Sequence, residues 1–387
     1  MGAGSTEWIS DSRFRFVRAG ATGFAILFVI IAFWAAWFVY SKPMVIDFLA
    51  YWAAARLALA GQIASVYDVA AHQAAEQVIA PIHGWLPFAY PPPFLLIVAP
   101  FGLVAFWKAF ALWVASTGAI YAIVVGRRGA LPYAVSHPAF LTNVLIGQNG
   151  FITASIFVGG LETLRRKPLV GGAILGLMVI KPQLALGLPF AMVAGRQWKA
   201  IAGAAASTIV ALSLGFIVFG SIAYDGFFKI LPFFANGLTG GRWPWNEIIS
   251  VFALVHYFGG TQNVALAGHA VVAFAAIVLI CRAWWLDLDQ RDGILASATL
   301  LIPPYLLTYD ALLLIIPTLW LLREKQHMWV LPVAWLLCFL PIAGYFEYYE
   351  GPNTVAFAAI LYLWALHAPL RSTPKHIVSN TPTALRA

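Results

Sequence analysis

Charge is scarce in this chain: only 10% of its 387 residues are Asp, Glu, Lys or Arg, whereas 62% are hydrophobic. Soluble globular domains carry about 25% charged and about 45–50% apolar residues, so the composition excludes an ordinary soluble enzyme and a disordered chain. A chain this apolar is soluble only in lipid. Since one spanning helix needs about 20 residues, the length allows about ten to twelve crossings with their loops.

Cysteine is rarer still, and both examples, Cys281 and Cys338, lie inside apolar runs. This placement argues against a disulfide framework and a zinc site, and we expect neither a metal nor another cofactor. Basic residues are in excess, giving a net charge of +8, but they form short clusters between apolar runs. The positive-inside rule accounts for such clusters, so no nucleic-acid partner is expected.

Ten apolar runs follow one another along the chain and predict an all-α polytopic membrane protein, with residues 1–387 as a single transmembrane domain. They lie at about 16–40, 93–126, 131–147, 151–164, 168–195, 198–219, 262–284, 293–322, 328–345 and 354–370. Polar residues interrupt two of them, near Lys181 and near Asp310. Broken helices at membrane depth are tolerated only where they line protein or a water-filled cavity, so both interruptions predict a site.

Basic residues also assign the two sides of the membrane, because cytoplasmic loops are enriched in Lys and Arg. The cytoplasmic segments are then the tails 1–15 and 371–387 and the short basic clusters at 127–128, 165–167, 196–199 and 323–325. Residues 41–92 become the first outer loop, and a second outer loop is expected at about 220–247. The run 16–40 is too long for a cleavable signal and is predicted to be an anchor helix.

The first outer loop contains two predicted helices. The first starts at Asp47 and ends at Gly61, and the second starts at Asp68. Apolar side chains share one face by their spacing, so we expect amphipathic helices that lie in the membrane interface. Asp47 has two compatible interpretations, as a helix cap or as a carboxylate base at the membrane face. His72, in the second helix, is expected at the surface of the loop, as is His83.

Further polar residues are predicted on the same outer face. They are Gln148, Asn149, Lys181, Gln183, Arg242, Glu247 and Asp310. Ionisable residues at membrane depth are energetically costly and are candidates for function. Structural alternatives stay open for five of them: a snorkelling Lys181, helix caps at Gln148, Asn149 and Asp310, and an aromatic-belt segment around Arg242. The acidic residues Asp287, Asp289 and Asp292 are interpreted as solvated charge on the cytoplasmic side.

Four sequence blocks resemble glycosyltransferase family 87 in the family's order. They are residues 47–61 with 66–68, residues 90–94, residues 147–151 and residues 172–183. The resemblance implies a GT-C fold and a membrane glycosyltransferase that takes a hexosyl or pentosyl group from a polyprenyl-phosphate donor. It also implies a lipid or glycan acceptor, contact with membrane lipids, and a multi-pass protein of the bacterial inner membrane with its active site facing the periplasm.

The resemblance places the family's acidic residue on Asp47, the expected general base of an inverting transfer. Mannosyltransferase members carry a His pair after Trp-Asp, and the equivalent stretch here is Tyr309-Asp310-Ala311-Leu312, so no histidine role is expected. Lys181 and Arg242 are candidate cations for the leaving phosphate. The remaining candidates for donor phosphate or sugar binding are Gln148, Asn149, Arg56, Tyr51, Trp52, Tyr90, Gln183, Tyr309 and Asp310.

A secondary transporter or lipid flippase is the competing interpretation, because broken helices and intramembrane ionisable residues are typical of transporters too. Transporters commonly show paired half-length segments in two corresponding halves of the chain. No such repeat is evident in this sequence, and the long first outer loop with its own helices is a further difference.

Overall fold

The computed structural model describes residues 46–79, 86–127, 129–240, 243, 245–344 and 350–367. The predicted anchor helix, both tails, Arg242 and His83 lie outside these residues. Within the described ranges the chain forms helices and no strand, and an isolated antiparallel bridge joins Ile248 to Leu307. The prediction of an all-α protein is confirmed.

Most of the helices are short, and several follow one another with only a residue or two between them. In chain order they are α1 (Phe48–Leu59), α2 (Val69–Gln77), α3 (Pro92–Val98), α4 (Phe106–Gly126), α5 (Leu131–Ser136), α6 (Pro138–Ile146), α7 (Gly150–Leu164), α8 (Pro168–Gly176), α9 (Pro182–Ala185), α10 (Gly187–Ala194), α11 (Trp198–Thr239), α12 (Val251–Tyr257), α13 (Gln262–Trp285), α14 (Arg291–Thr299), α15 (Ile315–Glu324), α16 (Val330–Gly344) and α17 (Val355–His367). Segments of 3-10 helix lie at Ile63–Val66, Ala99–Leu103, Leu177–Ile180, Trp245–Glu247 and Thr308–Leu314.

Among the described helices, α4, α11 and α13 are long and apolar enough to cross a membrane. They expose large apolar side chains, as Ile217 on α11 and Val271 on α13 show with exposed fractions of 76% and 69%. Such surfaces are stable against lipid and not against water. Shorter apolar helices complete the bundle. The total number of crossings stays a prediction.

Helix α11 shows that most of the outer loop expected at about 220–247 is helical, and the side of the membrane on which it lies stays a prediction. The chain remains helical to Thr239, and only Gly220 leaves the helical conformation, with φ 73° and ψ 179°. This conformation is open to glycine and costly for other residues, so Gly220 allows the kink. The part of the helix after the kink carries Asp225, Lys229 and Pro232, and Pro232 is accommodated inside it.

The two predicted helix interruptions are both present. The run 168–195 breaks into α8, a 3-10 segment, α9 and α10, with Lys181 at the break. The run 293–322 breaks between α14 and α15, and Asp310 lies in the intervening 3-10 helix. Lys181 and Asp310 are themselves buried in protein, as polar groups in irregular backbone at membrane depth must be.

Helix α1 is not the amphipathic surface helix that the spacing predicts. Its residues from Phe48 to Ala55 are all buried, and Arg56 is the first exposed one. Aromatic side chains surround it, with Phe110 and Trp113 each within 6 Å of the Phe48 ring by centroid. The helix is therefore held on all sides by a second hydrophobic core, separate from the main core of the bundle.

Helix α2 begins where the sequence predicts, because the Asp68 carboxylate accepts a hydrogen bond from the Ala71 backbone at 2.9 Å. His72 is buried and not at the loop surface, which corrects the expectation. Its ring lies 3.4 Å from the buried carboxylate of Glu76, whose other oxygen accepts from the Leu86 backbone at 3.1 Å. These contacts fasten the end of the outer loop to α2.

Candidate active site

Asp47 stands at the start of α1 but does not cap it. Its side chain makes no capping hydrogen bond. The carboxylate instead accepts a hydrogen bond at 2.7 Å from the side-chain amide of Gln148, 101 residues away. The interpretation of Asp47 as a helix cap is therefore wrong, and the carboxylate is available to the space in front of the helix.

Gln148 reaches Asp47 because of the glycine before it. Gly147 ends α6 with φ 66° in the left-handed region. A Cβ atom there would lie 2.7 Å from the Cβ of Phe48, closer than any real contact. The glycine thus allows the chain to turn directly against α1 and presents Gln148 to the Asp47 carboxylate. Neither Gln148 nor Asn149 makes a side-chain cap of α7.

Two tyrosines complete this half of the site. Tyr51 lies one helical turn after Asp47, and its hydroxyl donates to the Gln148 side-chain oxygen. The hydroxyls of Tyr51 and Tyr90 lie 2.9 Å apart, and the Tyr90 hydroxyl is 3.4 Å from the same Gln148 oxygen. Three consecutive prolines after Tyr90 begin α3 and restrict the backbone there.

The other half of the site is a buried ion pair. The ammonium of Lys181 lies 2.5 Å from the carboxylate of Asp310, with both side chains at most 3% exposed. Lys181 also donates to the Asn149 side-chain oxygen at 3.3 Å and lies 4.4 Å from the centre of the Tyr309 ring. Lys181 is thus held inside the protein, which rules out the snorkelling interpretation.

Both halves face one cavity of about 160 Å³. Its lining residues come from α1, from the segment before α3, and from the chain around residues 148, 181, 245 and 307. They are Asp47, Ala50, Tyr51, Leu86, Pro87, Ala89, Tyr90, Gln148, Lys181, Gln183, Trp243, Glu247, Tyr305, Leu306, Leu307, Tyr309 and Asp310. Ligand pockets commonly span about 300–1,000 Å³, so this cavity is small for a ligand pocket.

Three predicted residues do not line the cavity. The Trp52 indole donates to the Val104 carbonyl at 3.0 Å, and the Arg56 guanidinium donates to the Gly102 carbonyl at 3.3 Å. Asn149 lies behind the cavity wall, where it contacts Lys181. Arg242 is outside the described residues, although its neighbour Trp243 lines the cavity.

Two ionisable lining residues, Glu247 and Tyr305, are missing from the predicted binding set. Glu247 was expected on this face without a role, and Tyr305 carried no signal because it lies in an unwound stretch after α14. A backbone hydrogen bond of 2.8 Å from Ile249 to Leu306 brings the two segments together. Asn353 fastens them further, because its amide donates to the Glu247 carbonyl at 2.8 Å and to the Thr308 hydroxyl at 3.0 Å.

The carboxylates of the cavity differ in their environment. Loss of water around Asp47 raises its pKa to about 6, although the hydrogen bond from Gln148 opposes the rise. Glu247 is exposed at the cavity mouth, yet the surrounding protein, and after it the charge of Asp47, raise its pKa to about 7. Asp310 is neutralised by Lys181. Of the two lining carboxylates without a cationic partner among the described residues, Asp47 has the lower pKa and is mostly ionised at neutral pH.

The described residues contain no group of three or more His, Cys, Asp or Glu side chains that would hold a metal ion. Two of the acidic residues after α13 form ion pairs with arginines. Asp292 pairs with Arg165 at 2.8 Å, and Asp287 pairs with Arg291. These pairs lie at the end of α7 opposite to Asn149. Asp292 is only 16% exposed, which corrects its interpretation as solvated charge, whereas Asp287 is 79% exposed and agrees with that interpretation.

Comparison with known proteins gives one match. Residues 88–308, more than half of the chain, match the model of glycosyltransferase family 87. The matched segment includes Tyr90, Gln148 and Lys181, whereas Asp47 and Asp310 lie outside it. No curated protein and no solved structure matches the chain significantly.

Proposed function

The chain belongs to glycosyltransferase family 87 and is a membrane glycosyltransferase, and from this premise we propose that it takes its sugar from a polyprenyl-phosphate-linked donor. The group transferred is a hexosyl or pentosyl unit, and the acceptor is a hydroxyl of a glycolipid or glycan. The transfer takes place on the outer face of a bacterial inner membrane, in the cavity in front of Asp47. Membership in a family of transferases sets the transporter and flippase interpretation aside.

Asp47 is the general base in this proposal, and the observation that carries it is the position of its carboxylate. It lines the cavity, caps no helix and has no cationic partner among the described residues. The acceptor oxygen attacks the anomeric carbon and the bond from that carbon to the phosphate oxygen breaks. The phosphate leaves with the bonding electrons, and Asp47 takes the proton of the acceptor hydroxyl. A single displacement of this kind inverts the anomeric carbon.

Lys181 is the proposed contact for the donor phosphate. An ammonium group has three N–H donors, and the described residues give Lys181 two acceptors, Asp310 and Asn149. One donor is therefore left for a phosphate oxygen. Arg242, next to the lining residue Trp243, is proposed as a second cation, and Tyr51, Tyr90 and Tyr309 as hydrogen-bonding or stacking partners of the sugar.

The decisive variant is Asp47→Asn. An asparagine oxygen can still accept the Gln148 hydrogen bond, so the fold is kept while the base is lost. General bases contribute about 10²–10⁴-fold, and we expect a fall of that size in the rate of transfer with unchanged binding of the donor. The measurement is transfer of radiolabelled sugar from a polyprenyl-phosphate donor by purified protein, with product anomers assigned by NMR.

Asp68→Asn is the matched control, because Asp68 is the true cap in the same outer loop and asparagine caps a helix as well as aspartate. It should keep normal transfer. Near-normal transfer by Asp47→Asn at equal thermal stability would contradict the role of Asp47. Absence of transfer by the wild-type protein from any polyprenyl-phosphate sugar would contradict the proposed donor.

A further inference from the structure

The side-chain amide of Gln148 has only one orientation that its surroundings permit. Its NH₂ group donates to the Asp47 carboxylate at 2.7 Å, and its oxygen lies 3.3 Å from the backbone N–H of Asn149. An ionised carboxylate only accepts hydrogen bonds and a backbone N–H only donates them. Turning the amide over would set oxygen against carboxylate and NH₂ against N–H, so the orientation is fixed by chemistry.

Further contacts prevent the amide from moving away. Gln148 is 5% exposed, and its oxygen also receives the Tyr51 hydroxyl and lies 3.4 Å from the Tyr90 hydroxyl. Gly147 holds the backbone of Gln148 against α1, since a side chain at that position would collide with Phe48. Because the backbone and the side-chain oxygen of Gln148 are both held in place, its NH₂ group holds the Asp47 carboxylate in a fixed position.

We propose that Gln148 is a positioning residue for transfer: it holds oxygen Oδ2 of Asp47 in place, so that oxygen Oδ1 receives the acceptor proton. This inference rests on the proposed function. Oδ1 has no hydrogen-bond partner in the part of the chain that the structure describes, and Asp47 lines the cavity. In this role Gln148 positions the base and does not bind the donor.

The hydrogen bond from Gln148 also affects the ionisation of Asp47. A hydrogen bond to the charged form of a carboxylate stabilises that form, so the Gln148 amide lowers the pKa of Asp47 against the effect of burial. Hydrogen bonds to charged groups have net strengths that correspond to about one to two pKa units. Removing the amide should therefore move the ionisation of Asp47 to higher pH.

The test is the pH dependence of transfer by Gln148→Met, which keeps the length of the side chain and removes both polar groups. We expect the acid limb of the kcat profile to move up by about one to two pH units, with kcat affected more than KM for the donor. Gln148→Glu should move the limb further, because two adjacent carboxyl groups share one proton. Gln290→Met is the matched control, since it removes an amide whose partner is the Leu366 carbonyl.

An unmoved acid limb in Gln148→Met, or a rise in KM for the donor alone, would overturn the inference and return Gln148 to the donor site. A second readout does not depend on transfer: infrared difference spectra of the carboxyl band across pH, with Asp47→Asn to assign the band. If the pH midpoint of this band is higher in Gln148→Met but the wild-type protein shows no transferase activity, the positioning role is supported and the proposed function is contradicted. If the wild-type protein transfers sugar but the midpoint is the same in Gln148→Met, the proposed function is supported and the positioning role is contradicted.

Discussion

Lys181 and Asp310 stabilise the protein only as a pair. Replacing one member of a buried ion pair leaves an uncompensated charge and typically costs about 3–5 kcal/mol, whereas replacing both by apolar residues is often neutral. We therefore expect Lys181→Met to lower the unfolding temperature strongly, measured in detergent by a thermal shift. The double variant Lys181→Met/Asp310→Leu should regain most of that stability.

Donor binding separates the structural from the functional role of the lysine. If Lys181 contacts the donor phosphate, the double variant remains folded but binds the donor weakly, and Lys181→Arg retains part of the affinity because it retains the charge. Normal donor affinity in the stable double variant would show that the lysine only fills the core.

The pKa of Asp47 predicts how the rate of transfer depends on pH. A base whose pKa is near 6 is protonated below that value, so kcat/KM should rise about tenfold per pH unit up to about pH 6 and then level off. Glu247, with its pKa raised to about 7, is mostly protonated over this limb, so Glu247→Gln should leave the limb in place. A profile that is flat between pH 5 and pH 8 would contradict a base of this pKa.

The residue types of the site were predictable and their pairings were not. Costly polar residues at membrane depth identified Asp47, Gln148, Lys181 and Asp310 as candidates. Local sequence suggested a cap at Asp47 because aspartate is favoured before helices. A partner 101 residues away competes for that carboxylate, and no local pattern reveals it.

At the scale of the element, the turn between α6 and α7 is the most constrained part of the site. Gly147→Ala meets two costs: a left-handed backbone and a collision with Phe48. Gly61→Ala is a matched control because Gly61 has φ 73° and nothing within 4 Å of the added atom. Gly61→Ala should cost about 1–2 kcal/mol, and Gly147→Ala about 1–3 kcal/mol more.

The activity of these two variants tests the connection to Asp47. Gly147→Ala displaces Gln148 from α1, so transfer should fall well beyond the effect on stability, when both variants are assayed below their unfolding temperatures. Equal activity in the two alanine variants would show that the approach of the turn to α1 is not required for transfer.

Elements were predicted best where a single residue type dictates the backbone. The breaks at Lys181-Pro182 and before Asp310 follow from polar residues within apolar runs. The kink at Gly220 was not predicted, because an isolated glycine in an apolar run is common and the helix resumes beyond it. The burial of α1 was not predicted either, since the spacing of its apolar residues does not show that aromatic side chains cover its opposite face.

For the whole molecule, the side of each loop remains to be measured. Cysteines at Gln77 and Arg166, both exposed, should react oppositely with a membrane-impermeant thiol reagent in a background without Cys281 and Cys338. Gln77 is expected to be labelled from outside because it lies in the predicted first outer loop, and Arg166 only after permeabilisation because it lies in a predicted cytoplasmic cluster. Labelling of Arg166 alone from outside would reverse the orientation and with it the proposed access of an outer-face donor.

The long separation of the paired residues also has a consequence for biosynthesis. Asp47 binds a residue 101 positions later in the chain, and Lys181 binds one 129 positions later. A chain synthesised from its N-terminus inserts α1 long before either partner of the ion pair exists. Every nascent chain that ends before residue 310 lacks the counter-ion of Lys181, so the site is completed only late in synthesis.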